Sequence, residues 1–211
     1  FEFTPPLLTI GAGVPVNQLL KFSQEHKISG FEFMAGVPAA IGGMVSMNFG
    51  CWDTEISDIL ESVDVFSSEK GIFTLTKKEC QFSYRSSIFQ ERKWLILKAT
   101  FKINTEKQKD TIKNKIQAYV KERVEKQPIR KNTFGSIFKN PNKTTAAKLI
   151  EKAGLKGHCK NNIGVSNQHA NFLENLNNGS AECSIDMINF IIDKVYRSSK
   201  ITLVPEVVIF N

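Results

Sequence analysis

Gly30-Phe-Glu-Phe-Met-Ala-Gly-Val-Pro-Ala-Ala-Ile-Gly-Gly-Met-Val-Ser-Met-Asn-Phe-Gly50 sets Gly36, Gly42, Gly43 and Gly50 around Pro38 with almost no charge. The stretch has no regular amphipathic period. A solvated loop would be more polar, and a buried strand or helix would tolerate fewer glycines. Two readings stand: a buried turn between core elements, or a surface where bare backbone presents N–H groups to something flat or phosphorylated. The remainder of the chain has to decide between them.

On the amino-terminal side, residues 7–10 read as a strand and Gly11-Ala-Gly13 as a turn. Pro15 suits the first turn of a helix that carries Val16, Leu19, Leu20 and Ser23 to about His26. After the stretch, 53–58 leads into a strand over 59–66, a Ser-Ser-Glu-Lys-Gly turn and a returning strand over 72–76. Residues 82–84 and 94–103 are further strand candidates, the latter with one solvated face. From Asn104 the character changes. Ile112, Ile116, Tyr119 and Val120 lie on one face of a long charged helix that ends before Pro128. A helix over 144–153 is stopped by Gly154, and Asn178-Gly179 turns into a helix capped by Ser180. That helix presents Ile185, Ile188, Ile192 and Val195. A last strand over 201–210 carries Pro205, which places it at an edge or a bulge.

At 211 residues, 41% hydrophobic and 23% charged, the chain has ample material for a globular core. No apolar run reaches membrane-spanning length. The net charge of +7 is concentrated in 107–130 and 139–160. It is either a solvated helix face or an affinity for anions. Zinc spacing, a helix-turn-helix signature and stacked RNA-binding aromatics are all missing, which argues against a nucleic-acid partner. Cys51, Cys80, Cys159 and Cys183 form no CxxC pair, which points to free thiols in a reducing cytoplasm. The scattered His26, His158 and His169 offer no metal site.

Three clusters hold polar residues among apolar or small ones. In Phe82-Ser-Tyr-Arg-Ser-Ser87, Arg85 is either a structural ion-pair partner or a fixed cation aimed at an anionic ligand. In Thr133-Phe-Gly-Ser-Ile-Phe-Lys-Asn-Pro141, Ser136 has no His or Asp at triad spacing and no GxSxG elbow. It is a loop residue or cap, or a proton donor helped by nearby cations. In Leu203-Val-Pro-Glu-Val-Val208, Glu206 is either a solvent-facing edge residue or a buried, functional carboxyl.

The joint occurrence of these clusters carries a resemblance. The chain resembles the UDP-N-acetylenolpyruvoylglucosamine reductases, the MurB-type flavoenzymes of peptidoglycan synthesis. The resemblance runs through the glycine stretch, Met47-Asn48-x-Gly50, Glu55-Ile-x-Asp58, Tyr84-Arg85-x-Ser87 and Lys126-Gln-Pro128. It continues through Gly135-Ser-x-Phe-Lys-Asn-Pro141, Leu149-Ile-Glu-Lys-Ala-Gly-Leu-Lys-Gly157, His169-Ala-Asn-Phe172 and Pro205-Glu-Val207. Each motif alone is weak, whereas nine in one order are specific.

The resemblance implies an α+β chain: part of an FAD-binding domain of the vanillyl-alcohol-oxidase type over 1–126, then a smaller substrate-binding domain over 127–211. The boundary is placed between 104 and 132. It implies FAD as cofactor, NADPH as reductant and UDP-N-acetylglucosamine enolpyruvate as substrate, in a cytoplasmic monomer that binds neither nucleic acid nor membrane. By the same resemblance Arg85, Ser136 and Glu206 are catalytic, with Ser136 the proton donor and the other two acting on the substrate carboxylate. Val37, Pro38, Gly42, Gly43, Ser46, Met47, Gly50, Tyr84, Arg123 and Gly135 would contact the flavin nucleotide. Lys126 and Asn140 would contact the nucleotide sugar.

The chain also departs from the family pattern. Ala39 replaces a glycine, a change that a turn with positive φ would resist. Phe49 and the run from Cys51 to Thr54 replace smaller residues that would crowd a flavin edge less. Val208 stands where an arginine is usual. No tyrosine-bearing insertion interrupts 101–136, so the chain resembles the compact subtype. The family's amino-terminal glycine-rich loop would precede Phe1, making the chain a fragment or a shortened relative. A competing reading is therefore a decayed homologue that does not hold FAD.

Overall fold

The structure is a computed structural model that describes residues 1–105 and 109–209. The chain divides into two compact units, Phe1–Lys121 and Glu122–Asn211. The division falls inside one helix, Lys109–Lys126.

The first unit is built on a five-stranded sheet: β1 (Glu2–Thr4), β2 (Leu7–Gly11), β5 (Leu60–Ser67), β6 (Gly71–Thr76) and β7 (Leu95–Lys102). Its order is β1-β2-β7-β5-β6, antiparallel throughout. The labels β3 and β4 belong to the short ladder Gly50–Cys51 and Thr54–Glu55. Alternation gives the sheet two unlike faces. Leu8, Ile10, Val63, Val65, Ala99 and Phe101 point into the core. The other face carries polar cross-strand pairs: Thr9 with Thr100 at 2.9 Å, Thr74 with Asp64 at 2.7 Å, and Lys98 between Glu2 and Asp64.

Helix α1 (Val16–His26) buries Val16, Leu19, Leu20 and Ser23, the spacing read from the sequence. Pro15 is its extended N-cap, one position before the first turn assigned to it. The glycine stretch contains a helix, α2 (Ile41–Ser46), so the expectation that a buried helix would tolerate fewer glycines is corrected there. Its Ile41, Met44 and Val45 are buried, and tertiary packing outweighs a propensity cost of roughly 1 kcal/mol per glycine. The helix Lys109–Lys126, α3, buries Ile112 and packs Ile116, Tyr119 and Val120 against this core.

In the second unit, α4 (Ala146–Lys152) and α5 (Ala181–Ser199) accompany an antiparallel sheet of β8 (Cys159–Lys160), β9 (Ile163–Val165) and β10 (Leu173–Asn175). Ser180 Oγ accepts the Cys183 amide at 3.3 Å, the cap read from sequence. Gly154 lies at φ 71° beyond α4. The buried face of α5 is Met187, Ile188, Ile191 and Val195, rotated from the stripe expected to include Ile185 and Ile192. With several isoleucines in register, periodicity fixes the face only to within about one position.

Two expected strands are absent among the described residues. Residues 82–84 lie in a turn whose Ser83 and Ser86 bridge each other. Residues 201–209 form no strand and carry one isolated bridge, Phe138 to Pro205, with a bend at Val207, because a proline cannot extend a ladder. Phe210, the end of that expected strand, lies outside the described residues.

Candidate active site

In the first unit the glycine stretch is laced to the turn after β2. Gly42 N–H donates to Ala12 O at 2.8 Å, Val16 N–H to Ala39 O at 2.9 Å, and Ile41 N–H to Val14 O at 3.0 Å. The glycines in it do different things. A Cβ on Gly42 would stand 3.0 Å from the Ala12 methyl, and one on Gly50 would stand 2.7 Å from Glu55 Cγ. Both are required by the chain's own packing. A Cβ on Gly43 or Gly13 would meet nothing within 4 Å. There the backbone is bare and open. Val37 and Pro38, with Pro15 and Leu20, line a cleft of about 560 Å³. Ala39 does not adopt positive φ, so the strain expected there does not arise. Phe49 stacks on Phe33, and Trp52 on Tyr119 at 4.0 Å.

Arg85 occupies the tip of a tight turn. The Ser83 and Ser86 amides each donate to the other's carbonyl at 3.0 Å, leaving Tyr84 and Arg85 as the two central residues. Arg85 has φ 52° and Tyr84 is not left-handed, the pattern of a type II turn that ordinarily wants glycine in this place. A side chain in this conformation costs about 1–2 kcal/mol. The turn is fastened to the glycine stretch. Arg85 Nη2 donates to Gly50 O at 2.6 Å, Ser87 Oγ to Ser46 O at 2.6 Å, and Gln90 Nε2 to Ser46 O at 3.1 Å. Asn48 Nδ2 donates to Ser83 O at 3.0 Å. The guanidinium is half-buried and lies over the Tyr84 and Phe49 rings at 5.1 and 5.6 Å. Phe49 thus supports the cation. Ser46, Met47, Gly50, Tyr84 and Arg85 come together here, while Val37 and Pro38 lie at the other end of the stretch beside α1.

In the second unit Gly135, at φ 90°, opens an extended segment from Ser136 to Lys139. Both flanks hold it. Ser136 bridges Phe172, and Ile137 N–H donates to Asn171 O at 3.0 Å. On the other side Glu206 N–H donates to Ile137 O at 2.7 Å, and Lys139 N–H to Val204 O at 2.9 Å. Ser136 and Glu206, seventy residues apart in sequence, therefore sit on paired segments, each half-buried. The Asn171 side chain completes the arrangement. Its Oδ1 accepts the Phe138 amide at 3.1 Å and its Nδ2 donates to the Phe138 carbonyl at 2.8 Å.

The other expected contacts of this unit are spread out. Arg123 is buried near the end of α3 and donates to Gln127 Oε1 at 3.1 Å. Lys126 is exposed and paired with Glu122 at 2.6 Å, a hydrogen bond that raises its pKa. Gln168 covers the carbonyls of Val124 and Glu125 at the same helix end. Asn140 Oδ1 accepts the Ala146 amide at the start of α4. His169 Nδ1 accepts the Asn171 amide at 3.3 Å, which in the neutral ring puts the proton on Nε2. Burial holds its pKa below the ordinary imidazole value, with Glu151 opposing and Lys156 adding to that shift.

Asn48, Ser87 and Asn171 entered the sequence reading only as letters of family motifs, without a role, and Gln90 not at all. Asn48 and Asn171 carried a signal nonetheless. Each is a polar residue flanked by apolar ones, Met47 and Phe49 or Ala170 and Phe172, so a buried and fully bonded side chain was the physical expectation.

Residues 127–210 match the carboxy-terminal domain of UDP-N-acetylenolpyruvoylglucosamine reductase, and residues 6–76 match an FAD binding domain. The UDP-N-acetylenolpyruvoylglucosamine reductase of Caldicellulosiruptor saccharolyticus is 37% identical over 208 residues, 98% of this chain and 67% of that protein. The Aquifex aeolicus protein of the same name is 40% identical over 93% of this chain and 65% of its own. The crystal structure of UDP-N-acetylenolpyruvylglucosamine reductase (MurB) from Thermus caldophilus superimposes with a TM-score of 0.82 at 26% identity, over 97% of this chain and 73% of that one. The chain spans about two thirds of the length of the curated relatives it matches. With its α+β fold, its FAD-binding domain and this extent of identity, the chain belongs to the UDP-N-acetylenolpyruvoylglucosamine reductase family.

Proposed function

We propose that this chain belongs to an enzyme that reduces the enolpyruvyl ether of UDP-N-acetylglucosamine to the lactyl ether of UDP-N-acetylmuramate. The reductant is NADPH and the setting is cytoplasmic peptidoglycan synthesis. The first unit holds FAD and the second the nucleotide sugar. The observation that carries the reading is the Arg85 turn: a half-buried guanidinium held in a disfavoured conformation against the glycine stretch. Strain of this kind persists where the surroundings enforce it, and it collects at functional sites.

The residues present fit FAD, because Gly13 and Gly43 leave backbone uncovered where a Cβ would meet nothing. When bound, FAD supplies the hydride taken from NADPH. The Gly36–Pro38 cleft, the bare backbone at Gly43, and Ser46, Met47 and Tyr84 around the turn are the places to hold it.

Hydride addition to an enolpyruvate throws negative charge toward the substrate carboxylate. Arg85 binds that carboxylate through two parallel N–H bonds, orienting the double bond and stabilising charge where it develops. Glu206 acts on the same carboxylate, as a protonated donor or by orienting a cation, since a second free anion would oppose the reaction. The Ser136 hydroxyl gives its proton to the carbon beside the carboxylate. A hydroxyl is a weak acid, so this donation depends on cations that lower the cost of its alkoxide. Lys126 and Asn140 hold the diphosphate and sugar. The surplus of 28 basic over 21 acidic residues suits ligands that are all anionic.

The test separates the two half-reactions. In Ser136→Ala, reduction of bound flavin by NADPH persists at the wild-type rate. Turnover with the enolpyruvyl sugar falls by roughly 10²- to 10⁴-fold, the range for losing a general acid. Equal loss in both would make Ser136 structural, and full-length protein that takes up no FAD would sink the reading altogether.

A further inference from the structure

Asn48 ends the glycine stretch with its side chain wholly inside the protein, 0% exposed. Its carboxamide reaches two other segments, residues 55–57 and the turn at Ser83. Oδ1 accepts the Ser57 amide at 3.0 Å, and the two Nδ2 hydrogens go to Glu55 Oε2 at 2.8 Å and Ser83 O at 3.0 Å. We infer that Asn48 is a positioning residue for Arg85, acting through the Ser83 carbonyl; the inference rests on the role proposed for Arg85 in binding the substrate carboxylate.

Four observations converge on it. Ser83 and Ser86 hold each other through reciprocal backbone bonds, so whatever fixes the Ser83 carbonyl fixes the turn with Arg85 at its tip. A carbonyl has two acceptor positions, and Ser83 O spends one on Ser86 and the other on Asn48. Arg85 closes the circuit in the opposite direction by donating to Gly50 O, two residues beyond Asn48. The stretch 48–50 and the turn 83–86 are thus tied at two points. Finally, Arg85 sits at φ 52°, a conformation that a residue with a side chain abandons unless held. Ser87 also holds the turn by reaching the Ser46 carbonyl from beyond it, and the exposed Gln90 donates to the Ser46 carbonyl at 3.1 Å and to the Arg85 carbonyl at 3.3 Å.

The residue type follows from the geometry. Asn48 itself has φ 42°, which asparagine tolerates better than most residues. Aspartate would tolerate it too, but would set a carboxylate against both Glu55 and the Ser83 carbonyl. That difference supplies a discriminating variant. Asn48→Asp combined with Glu55→Gln keeps the Ser57 bond, restores a donor-acceptor pair between positions 48 and 55, and leaves the net charge unchanged. The bond to Ser83 O is lost and the introduced carboxylate faces that carbonyl, while the amide oxygen supplied by Glu55→Gln still accepts the Asp58 amide of the capping box.

The first readout needs no substrate. In the full chain carrying the double substitution, hydrogen exchange at the Ser83 and Ser86 amides accelerates by about tenfold, while the β5–β7 amides exchange as in wild type. Exchange at Ser83 and Ser86 unchanged from wild type would overturn the inference. The second readout is a cycle on the FAD-loaded enzyme. The double substitution lowers turnover with the enolpyruvyl sugar by roughly 10- to 100-fold, as a misplaced binding group does. Flavin reduction by NADPH falls less than turnover does, because it uses Tyr84 on the same turn but not the carboxylate site. In an Arg85→Ala background the same substitution changes turnover no further. A full additional loss there would mean that Asn48 acts on something other than Arg85, and the inference fails. If wild type does not reduce the enolpyruvyl sugar at all, the proposed activity falls, while the exchange experiment still decides whether Asn48 holds the turn.

Discussion

The two units fix their polar residues by opposite means. In the first, Arg85 stands on a strained turn that side chains strap to backbone carbonyls: Asn48 to Ser83, Ser87 and Gln90 to Ser46, and Arg85 itself to Gly50. In the second, Ser136 and Glu206 stand on extended backbone that is paired on both flanks, with one asparagine side chain filling in for a strand. A strapped turn can aim a long cation, but it depends on residues that make no regular structure. A paired segment resists displacement, yet leaves its side chains only the two directions that alternation allows. The long, delocalised guanidinium is found on the first and the short hydroxyl on the second.

The sharpest way to break this contrast is Arg85→Gly. Glycine relieves the left-handed φ, so the stability of the first unit stays within about 1 kcal/mol of wild type. Turnover falls by at least about 10²-fold, as when a preorganised group facing developing charge is removed. A large loss of stability in denaturant titrations would mean that the turn is a packing feature. The mirror experiment is Asn171→Ala. It strips partners from both the Phe138 amide and carbonyl, and should cost about 2–4 kcal/mol, read from the unfolding midpoint, because each buried orphan costs about 1–3 kcal/mol. A neutral outcome would show that backbone pairing alone holds the Ser136 segment.

A smaller effect comes from His169, whose folded pKa lies below its unfolded value of about 6.5 because burial disfavours the imidazolium. Below that pH the unfolded chain binds more protons than the folded one, so stability rises with pH there. The contribution is complete above about pH 6.5 and is lost as the pH falls toward the folded value. Unfolding of the second unit should become easier over that window, and His169→Gln should flatten the slope. The smallest effect concerns thiols. Burial pushes the Cys80 thiol up to about 12, and Glu79 adds to it. A thiol reagent at neutral pH should therefore label exposed Cys159 first and leave Cys80 intact until the first unit unfolds.

Helices and the hairpin were legible in the sequence because their signals are local. The 3.6-residue spacing of Val16, Leu19, Leu20 and Ser23, the Ser180 cap and the turn before Gly71 each need only a few neighbouring residues to act. The candidate site was proposed from residue types in family order, which is how Arg85, Ser136 and Glu206 were picked out. Their fastenings were not. Asn48 and Ser83 are 35 residues apart, and Ser87 and Ser46 are 41 apart. No local pattern announces which carbonyl a buried amide will find.

The same division accounts for the expectations that changed. Phe82-Ser-Tyr84 has strand composition, but the tertiary bonds to Ser83 and Ser46 favour a turn. Gly42 and Gly43 have poor helix propensity, but burying Ile41, Met44 and Val45 outweighs it. By itself the sequence determined the periodic elements, their caps and the family, because those depend on spacing along the chain. Tertiary structure alone decided the conformation of Arg85, the separate roles of Gly42, Gly43 and Gly50, and the pairing of the segments that carry Ser136 and Glu206. Those are set by which distant backbone groups meet, and a buried polar group must be satisfied by whatever the fold brings to it.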